Sequence, residues 1–137
     1  MRTLARLDGH ADYAAPGQLR GAWATWVSCP DNVCNVWREN LETGDAEAAP
    51  DPDYLRHSQF GPAVDEDGTV YFGRLLSPCD KAEIRRWDGE RVTRVLRLPP
   101  RVAFQYAYLA KRSNRLYFDL VGCARSARSD VYAAAVS

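Results

Sequence analysis

Short segments in which aromatic and β-branched residues predominate recur along the chain, separated by polar turns. Three segments share one pattern and are evenly spaced: they are Ala24-Thr25-Trp26, Val70-Tyr71-Phe72 and Leu116-Tyr117-Phe118. Trp26, Phe72 and Phe118 follow one another at intervals of 46 residues. Aromatic and β-branched residues are typical of strands, and no segment has the spacing of an amphipathic helix. The pattern therefore predicts β-strands in a repeated unit.

The segments that flank these strands repeat with nearly the same spacing. A preceding strand is predicted at 11–15, 58–63 and 104–109, and a following strand at 35–38, 83–86 and 130–133. Turn signals separate them: these are Leu19-Arg20-Gly21, Asp65-Glu66-Asp67-Gly68 and Ser113-Asn114. A fourth strand is predicted at 91–98. A poorer one at 45–50 leads into an acidic Pro-rich loop containing Asp51 and Asp53, which we interpret as solvated.

Each unit thus contains four short strands in about 46 residues, which is the size of a β-propeller blade. We predict an all-β chain of three four-stranded antiparallel blades, half of a six-bladed β-propeller, in a single segment covering 1–137. The blade repeats lie at about 10–50, 57–98 and 103–137. A β-sandwich or barrel is the alternative, because it also has short strands at regular spacing.

The strands predicted at the two ends of the chain indicate how the blades would close into a propeller ring. Residues 1–8 are predicted to form the outer strand of another blade, since the last repeat has no fourth strand of its own. Three blades cannot close a ring, because propellers contain about four to eight. Two alternatives follow. The chain is the C-terminal half of a longer propeller, or two copies join head to tail as a homodimeric six-bladed ring.

The net charge of the chain and its distribution limit the kinds of partner that we expect. The 137 residues include 18 basic and 18 acidic side chains, so the net charge is zero and a nucleic-acid partner is not expected. Residues 1–68 hold 5 basic and 12 acidic side chains, whereas residues 69–137 hold 13 basic and 6 acidic ones. Opposite charges of this kind would steer a head-to-tail assembly, although many short chains have an uneven surface charge. The apolar pattern predicts neither a membrane span nor a signal peptide.

Two segments of the chain have the order of strands and loops that is found in the blades of one known group of propellers. The first reads Trp26-Val-Ser-Cys-Pro-Asp-Asn-Val-Cys-Asn-Val-Trp-Arg-Glu-Asn-Leu-Glu-Thr-Gly-Asp45, and the second reads Val64-Asp-Glu-Asp-Gly-Thr-Val-Tyr-Phe72. In both, the chain resembles the bacterial TolB-like, WD40-like β-propellers. The resemblance covers essentially the whole chain, matched to the C-terminal three blades of a six-bladed form. It implies binding and scaffolding at a propeller face, without catalysis and often outside the cytoplasm.

The four cysteines predict two disulfides. Cys29 and Cys34 flank a hairpin loop, and Cys79 and Cys123 fall in equivalent loops of neighbouring repeats, so we predict the pairs Cys29–Cys34 and Cys79–Cys123. Free thiols are the alternative, and zinc is less favoured because no histidine lies near these cysteines in the sequence. Disulfides and the family resemblance suggest a secreted or periplasmic protein, and the lack of a predicted signal peptide leaves the cytoplasm open.

The innermost strands of a propeller line its central channel, so polar residues there are the candidate ligand contacts. They are Asp12, Tyr13, Gln59, Gln105 and Tyr106, with His10 and His57 just before the first strands. The alternative is that they only satisfy one another around a water-filled channel. The sequence has no catalytic motif, and neither a cofactor nor a metal is expected.

We therefore expect a non-enzymatic module that binds a second copy, a missing propeller half, or a protein, peptide or glycan. The alternative is a hydrolase or lyase with a site in the central channel, for which His10, His57 and Asp12 are the available acid and base groups.

Overall fold

The computed structural model describes residues 13–51, 57–77, 81–103, 109–123 and 129–136. These residues form an all-β structure of three antiparallel sheets, with one short 3₁₀ turn at Pro30–Asn32. The first sheet contains β1 Tyr13–Arg20, β2 Trp23–Cys29, β3 Asn35–Asn40 and β4 Ala46–Ala48. The middle sheet contains β5 Gln59–Val64, β6 Val70–Ser77, β7 Lys81–Trp87 and β8 Val92–Arg97. The last sheet contains β9 Val102–Ala103, β10 Leu109–Arg112, β11 Arg115–Gly122 and β12 Ser129–Ala135.

The strands of the first two sheets pair in the order in which they occur in the chain, and the last sheet departs from this order at β9. In the first and middle sheets every strand is hydrogen-bonded to the next. In the last sheet, β11 pairs with β12 on one side and with both β9 and β10 on the other. β9 and β10 therefore share one edge of β11, where the other two sheets have a single first strand. The predicted all-β class is confirmed.

The repeat in the sequence is also a repeat of strand partners. Positions 46 residues apart on the second strands face matching positions on the third strands: Val27 faces Val36, Gly73 faces Ile84, and Asp119 faces Val131. The third strands themselves are 47 or 48 residues apart in sequence. The extra residues therefore fall in the loops between strands, where insertions are tolerated best.

The first strands of the first two sheets share one irregularity. The register shifts between Pro16 and Leu19 in β1, and between Phe60 and Ala63 in β5. Proline cannot donate to the hydrogen-bond ladder, so within a sheet it is confined to edges and bulges. Pro62 lies at the second shift, 46 residues after Pro16. The irregularity is thus part of the repeated unit.

The turns between the first and second strands lie where the turn signals predicted them. They contain residues with a left-handed backbone: Gly21 has φ 55°, Gly68 has φ 84° and Ser113 has φ 51°. Gly68 also lacks room for a side chain, since a Cβ there would lie 2.5 Å from the ring of Trp23. Glycine is therefore required at this turn by both its backbone angle and its contact.

Two apolar cores lie between the sheets, one on each face of the middle sheet. The core against the first sheet contains Val27, Cys29, Cys34, Val36, Ala49, Val64, Val70, Phe72 and Trp87. The core against the last sheet contains Ala63, Tyr71, Ala82, Ile84, Leu98, Leu109, Leu116, Phe118, Leu120 and Val136. Neighbouring side chains on β6 enter different cores, as the two-residue period of a strand requires. Each large apolar side chain buried in this way contributes roughly 1.5–3 kcal/mol.

The first predicted disulfide is confirmed. Cys29 and Cys34 are bonded to each other, with their Cα atoms 4.0 Å apart, and both are buried. Asp31 and Asn32 in the intervening loop have positive φ angles of 50° and 61°. Cys123 is also disulfide-bonded. Cys79 lies outside the described residues, so its pairing with Cys123 stays a prediction.

Other sequence predictions have mixed outcomes. The fourth strands are confirmed, with β8 at 92–97 and a three-residue β4 at 46–48. The closing strand at 1–8 and most of the first strand predicted at 104–109 lie outside the described residues. That the sheets are blades of a propeller stays a prediction.

Replacing Gly68 with alanine should destabilise the fold more than the same change at Gly21. Both residues have positive φ, but a Cβ at Gly21 meets nothing nearer than 3.9 Å. Gly68→Ala should lower the free energy of unfolding by about 2–4 kcal/mol, and Gly21→Ala by about 1 kcal/mol. Urea denaturation followed by tryptophan fluorescence measures both values. Equal losses would contradict the close packing of Trp23 on this turn.

Peptide mapping should find Cys79 joined to Cys123. Two disulfides should make the intact mass about 4 Da lower than that of the reduced chain. A tryptic digest without reductant should contain one linked peptide pair carrying these two cysteines, and reduction should separate it. The Cys29–Cys34 bond is the internal control. An alkylatable thiol in the native protein would refute the second pairing.

Candidate functional site

A polar cleft lies where hairpins from all three sheets meet. Its volume is about 280 Å³, and its lining residues come from the turns between first and second strands: they are Arg20, Asp65, Glu66, Asp67 and Ser113. Arg20 ends β1, the three acidic residues connect β5 to β6, and Ser113 connects β10 to β11. The cleft is therefore built by the same turn in three successive repeats.

Ion pairs across this cleft join equivalent positions of neighbouring repeats. Lys111 Nζ lies 2.9 Å from Asp65 Oδ2, and Arg20 Nε lies 3.6 Å from Glu66 Oε1. In each pair the partners are 46 residues apart in the sequence. Arg20 Nη1 also donates a 3.0 Å hydrogen bond to the carbonyl of Lys111, and the Lys111 ammonium donates to the carbonyl of Ser113. The charged side chains at the cleft thus link the first hairpins of the three sheets to one another.

Backbone hydrogen bonding sets the charge of Asp67 at this cleft. The N–H of Thr69 donates a 2.9 Å bond to the Asp67 carboxylate, which holds the pKa of Asp67 below its ordinary value. A carboxylate with a lowered folded pKa stabilises the fold above its unfolded pKa, and this contribution is lost as the pH falls through the folded pKa. Since Asp67 is exposed, solvent screening keeps the contribution small.

A second polar cluster is buried between the first and middle sheets. The Gln59 side chain is 0% exposed, and its Oε1 accepts a 2.9 Å hydrogen bond from the N–H of Val36. Its Nε2 donates a 3.0 Å bond to Asp51 Oδ2. The same Asp51 oxygen lies 2.9 Å from Arg74 Nη1, and both side chains of this ion pair are buried. The interpretation of Asp51 as a solvated loop residue is therefore wrong, because the loop after β4 folds inward to meet Arg74.

The predicted channel residues are only partly covered by the structure. Gln59 lies within the described residues, and both the oxygen and the nitrogen of its side-chain amide are hydrogen-bonded to protein groups. Tyr13 begins β1 opposite Cys29. His57 is half-buried two residues before β5, and its Nδ1 has no hydrogen-bond partner among the described residues. Asp12, Gln105, Tyr106 and His10 lie outside the described residues, so the predicted ligand-binding role of the set stays a prediction.

Arg38 is a further buried charge that sequence reasoning missed. Its guanidinium carbon lies 4.9 Å from the ring centre of Trp23 and 4.3 Å from that of Trp87. It also donates hydrogen bonds to the carbonyl of Gly68 and to the Glu47 carboxylate. The two tryptophans belong to different sheets, so Arg38 links the first sheet to the middle one. An arginine at an inward position of β3 is the signal that sequence alone offered.

The outer face of the last sheet differs from the matching faces of the other two. Tyr117 is 37% exposed, although its equivalent in the middle sheet, Tyr71, is 3% exposed. Val131 is 77% exposed, although its equivalent Ile84 is 0% exposed. In the first two sheets these positions pack against the next sheet of the chain. The last sheet presents the same apolar positions to solvent, and we call Tyr117 and Val131 the open face.

Comparison with known proteins does not assign a function to these sites. No protein-family model matches the chain, and neither does any curated protein. Within the described residues, no group of three or more histidine, cysteine, aspartate or glutamate side chains is placed to hold a metal ion. The described part of the chain also contains no helix that is both long and apolar enough to cross a membrane.

Asp51→Asn should destabilise the protein strongly. Asparagine keeps the shape of the side chain but leaves the Arg74 charge buried without its carboxylate, which costs about 3–5 kcal/mol. Glu66→Gln is the matched control, because it removes the carboxylate of an exposed ion pair and should cost less than about 0.5 kcal/mol. Urea denaturation measures both. A loss below about 1 kcal/mol for Asp51→Asn would show that the buried pair does not hold the two sheets together.

Proposed function

We propose that the three sheets are propeller-type blades and that the protein is a non-enzymatic binding or scaffold module whose open face packs against a further sheet. The contrast between equivalent positions carries this proposal. Tyr71 and Ile84 are buried by the sheet that follows, whereas Tyr117 and Val131 are exposed and no further sheet covers them within the described residues. Exposed apolar side chains at positions that a repeat elsewhere buries indicate a missing neighbour.

The favoured neighbour is a second copy of this chain, joined head to tail. The first sheet also has an exposed apolar residue on the face directed away from the middle sheet, since Leu19 lies opposite Ala24 there. Thr25, the next residue on β2, bonds to Pro62 of the middle sheet and so marks the inward side. The first and the last sheet thus each present exposed apolar residues that a second copy of the chain could contact.

Charge favours the same arrangement. Residues 1–68 carry a net charge of −7 and residues 69–137 a net charge of +7. Arg112 and Arg115 are exposed on the last sheet, and Glu42 and Asp45 are exposed at the turn after β3 of the first sheet. A head-to-tail contact brings opposite charges together, whereas contact between two last sheets brings like charges together.

A binding role also agrees with the chemistry of the cleft. Its cationic groups are engaged with neighbouring carboxylates and backbone carbonyls. The pKa of Asp67 is lowered, whereas a carboxyl group that donates protons near neutral pH needs a raised one. These features suit a surface that holds hairpins and contacts polar groups, and they do not favour the hydrolase or lyase alternative.

Light scattering on a size-exclusion column tests the proposal. The expected mass is twice 15.4 kDa for the parent chain. Val131→Arg should give a monomer, because it places a charge in the centre of the contact. Thr93→Arg, which changes an exposed strand residue of the middle sheet, should leave the dimer intact.

Two results would contradict the proposal. A monomeric parent chain would show that a second copy does not cover the open face. A dimer that persists in Val131→Arg would show that the chain associates through another surface. Circular dichroism of each variant confirms that a change in mass does not arise from unfolding.

A further inference from the structure

Strand β8 is the outer strand of the middle sheet, and exposed arginines lie along it at intervals of three residues. They are Arg91 in the preceding turn and Arg94 and Arg97 in the strand. Successive side chains of a regular strand point to opposite faces, so an interval of three would place neighbouring arginines on different faces. The register of β8 shows that the strand is not regular.

A β-bulge brings two of these arginines to one face. Ile84 lies opposite Leu96, but the next residue of β7, Arg85, lies opposite Arg94. Val95 is therefore an extra residue in β8. Val95 and Leu96 both pack against the core shared with the last sheet. Arg94 consequently lies on the opposite face, which is directed towards the first sheet.

Arg97 lies on the same face as Arg94. It is opposite Glu83, and directly opposed residues of neighbouring strands share a face. Glu83 and Arg85 flank Ile84 on β7, and Ile84 is in the core against the last sheet. We call Arg85, Arg94 and Arg97 the β8 arginine patch.

The charges of this patch are not balanced within the described structure. Arg85 and Arg94 are directly opposite each other, and opposed like charges are destabilising. Buried Glu83 offers one carboxylate here, and its Oε2 lies 3.1 Å from Arg85 Nε. In the part of the chain that the structure describes, the side chains of Arg94 and Arg97 have no ion-pair partner. The exposed guanidinium groups of Arg94 and Arg97 can therefore bind an added anion, and the guanidinium group of Arg85 lies beside them.

We propose that the β8 arginine patch docks a carboxylate-rich segment of a protein partner. The planar guanidinium group binds a carboxylate through two parallel hydrogen bonds, and such charge-assisted bonds are stronger than neutral ones. An incoming carboxylate between Arg85 and Arg94 would also relieve the repulsion that their opposed positions create. This surface is separate from the open face, so the proposal does not depend on dimer formation.

An acidic peptide fits the patch better than a nucleic acid does. Sequence-tolerant binding of single strands uses exposed aromatic side chains on which bases stack. The aromatic residue of β7 and β8 is Trp87, which is buried beneath Arg38. The exposed large apolar residues of the described chain also lie on the other two sheets. The patch thus offers hydrogen bonding and charge without a stacking surface.

Fluorescence anisotropy with fluorescein-labelled octaglutamate tests the proposal on the full chain. Arg94→Gln combined with Arg97→Gln should weaken binding at least tenfold and reduce its dependence on salt. The matched control is Arg91→Gln with Arg101→Gln, which removes the same charge from two exposed arginines outside the patch. The control should change the affinity less than twofold.

Three results would overturn the proposal. Unchanged binding in the Arg94 and Arg97 double variant would exclude the patch. An equal loss in the control would mean that octaglutamate responds to overall charge alone. Tighter binding of labelled octathymidylate than of octaglutamate, lost in the same double variant, would show that the partner is a nucleic acid.

Discussion

The middle sheet has to bury both of its faces at once, and the rest of the structure depends on this constraint. Its neighbours approach so closely that side chains are excluded at particular positions. A Cβ at Gly17 of the first sheet would lie 2.7 Å from Pro62 of the middle sheet, and one at Gly68 would lie 2.5 Å from the Trp23 ring of the first sheet. Tight face-to-face packing leaves no internal space for a ligand in these regions. Binding surfaces are therefore expected at hairpin ends, outer edges and outer faces.

Polar groups buried between the first and middle sheets fix how those sheets meet. Apolar packing is tolerant of small shifts, whereas the Asp51 carboxylate accepts hydrogen bonds from both Arg74 and Gln59 in one arrangement only. Arg38 acts similarly, since its guanidinium lies between tryptophans of two sheets and reaches Glu47. Buried ion pairs contribute little net stability compared with apolar replacements, but breaking one is costly. We infer that these pairs select the register of the stack.

The local features of the fold were predictable because they depend on neighbouring residues. The aromatic and β-branched segments, the turn at Gly68 and the Cys29–Cys34 spacing each act within a few positions of the chain. The burial of Asp51 was not predictable, because its partner Arg74 comes from another sheet. The bulge at Val95 was not predictable either, because arginines at intervals of three also fit a regular strand with neighbouring arginines on opposite faces.

The two proposed surfaces differ in the physics of what they bind. The open face contributes apolar area, and burying Val131 and Tyr117 yields a free energy that salt weakens little, which suits a lasting contact with another sheet. The β8 arginine patch acts through charge, which is screened over about 8 Å at physiological ionic strength. Its occupant should therefore exchange readily and respond to salt. One stack of sheets can in this way hold a permanent neighbour on a face and a changing partner at an edge.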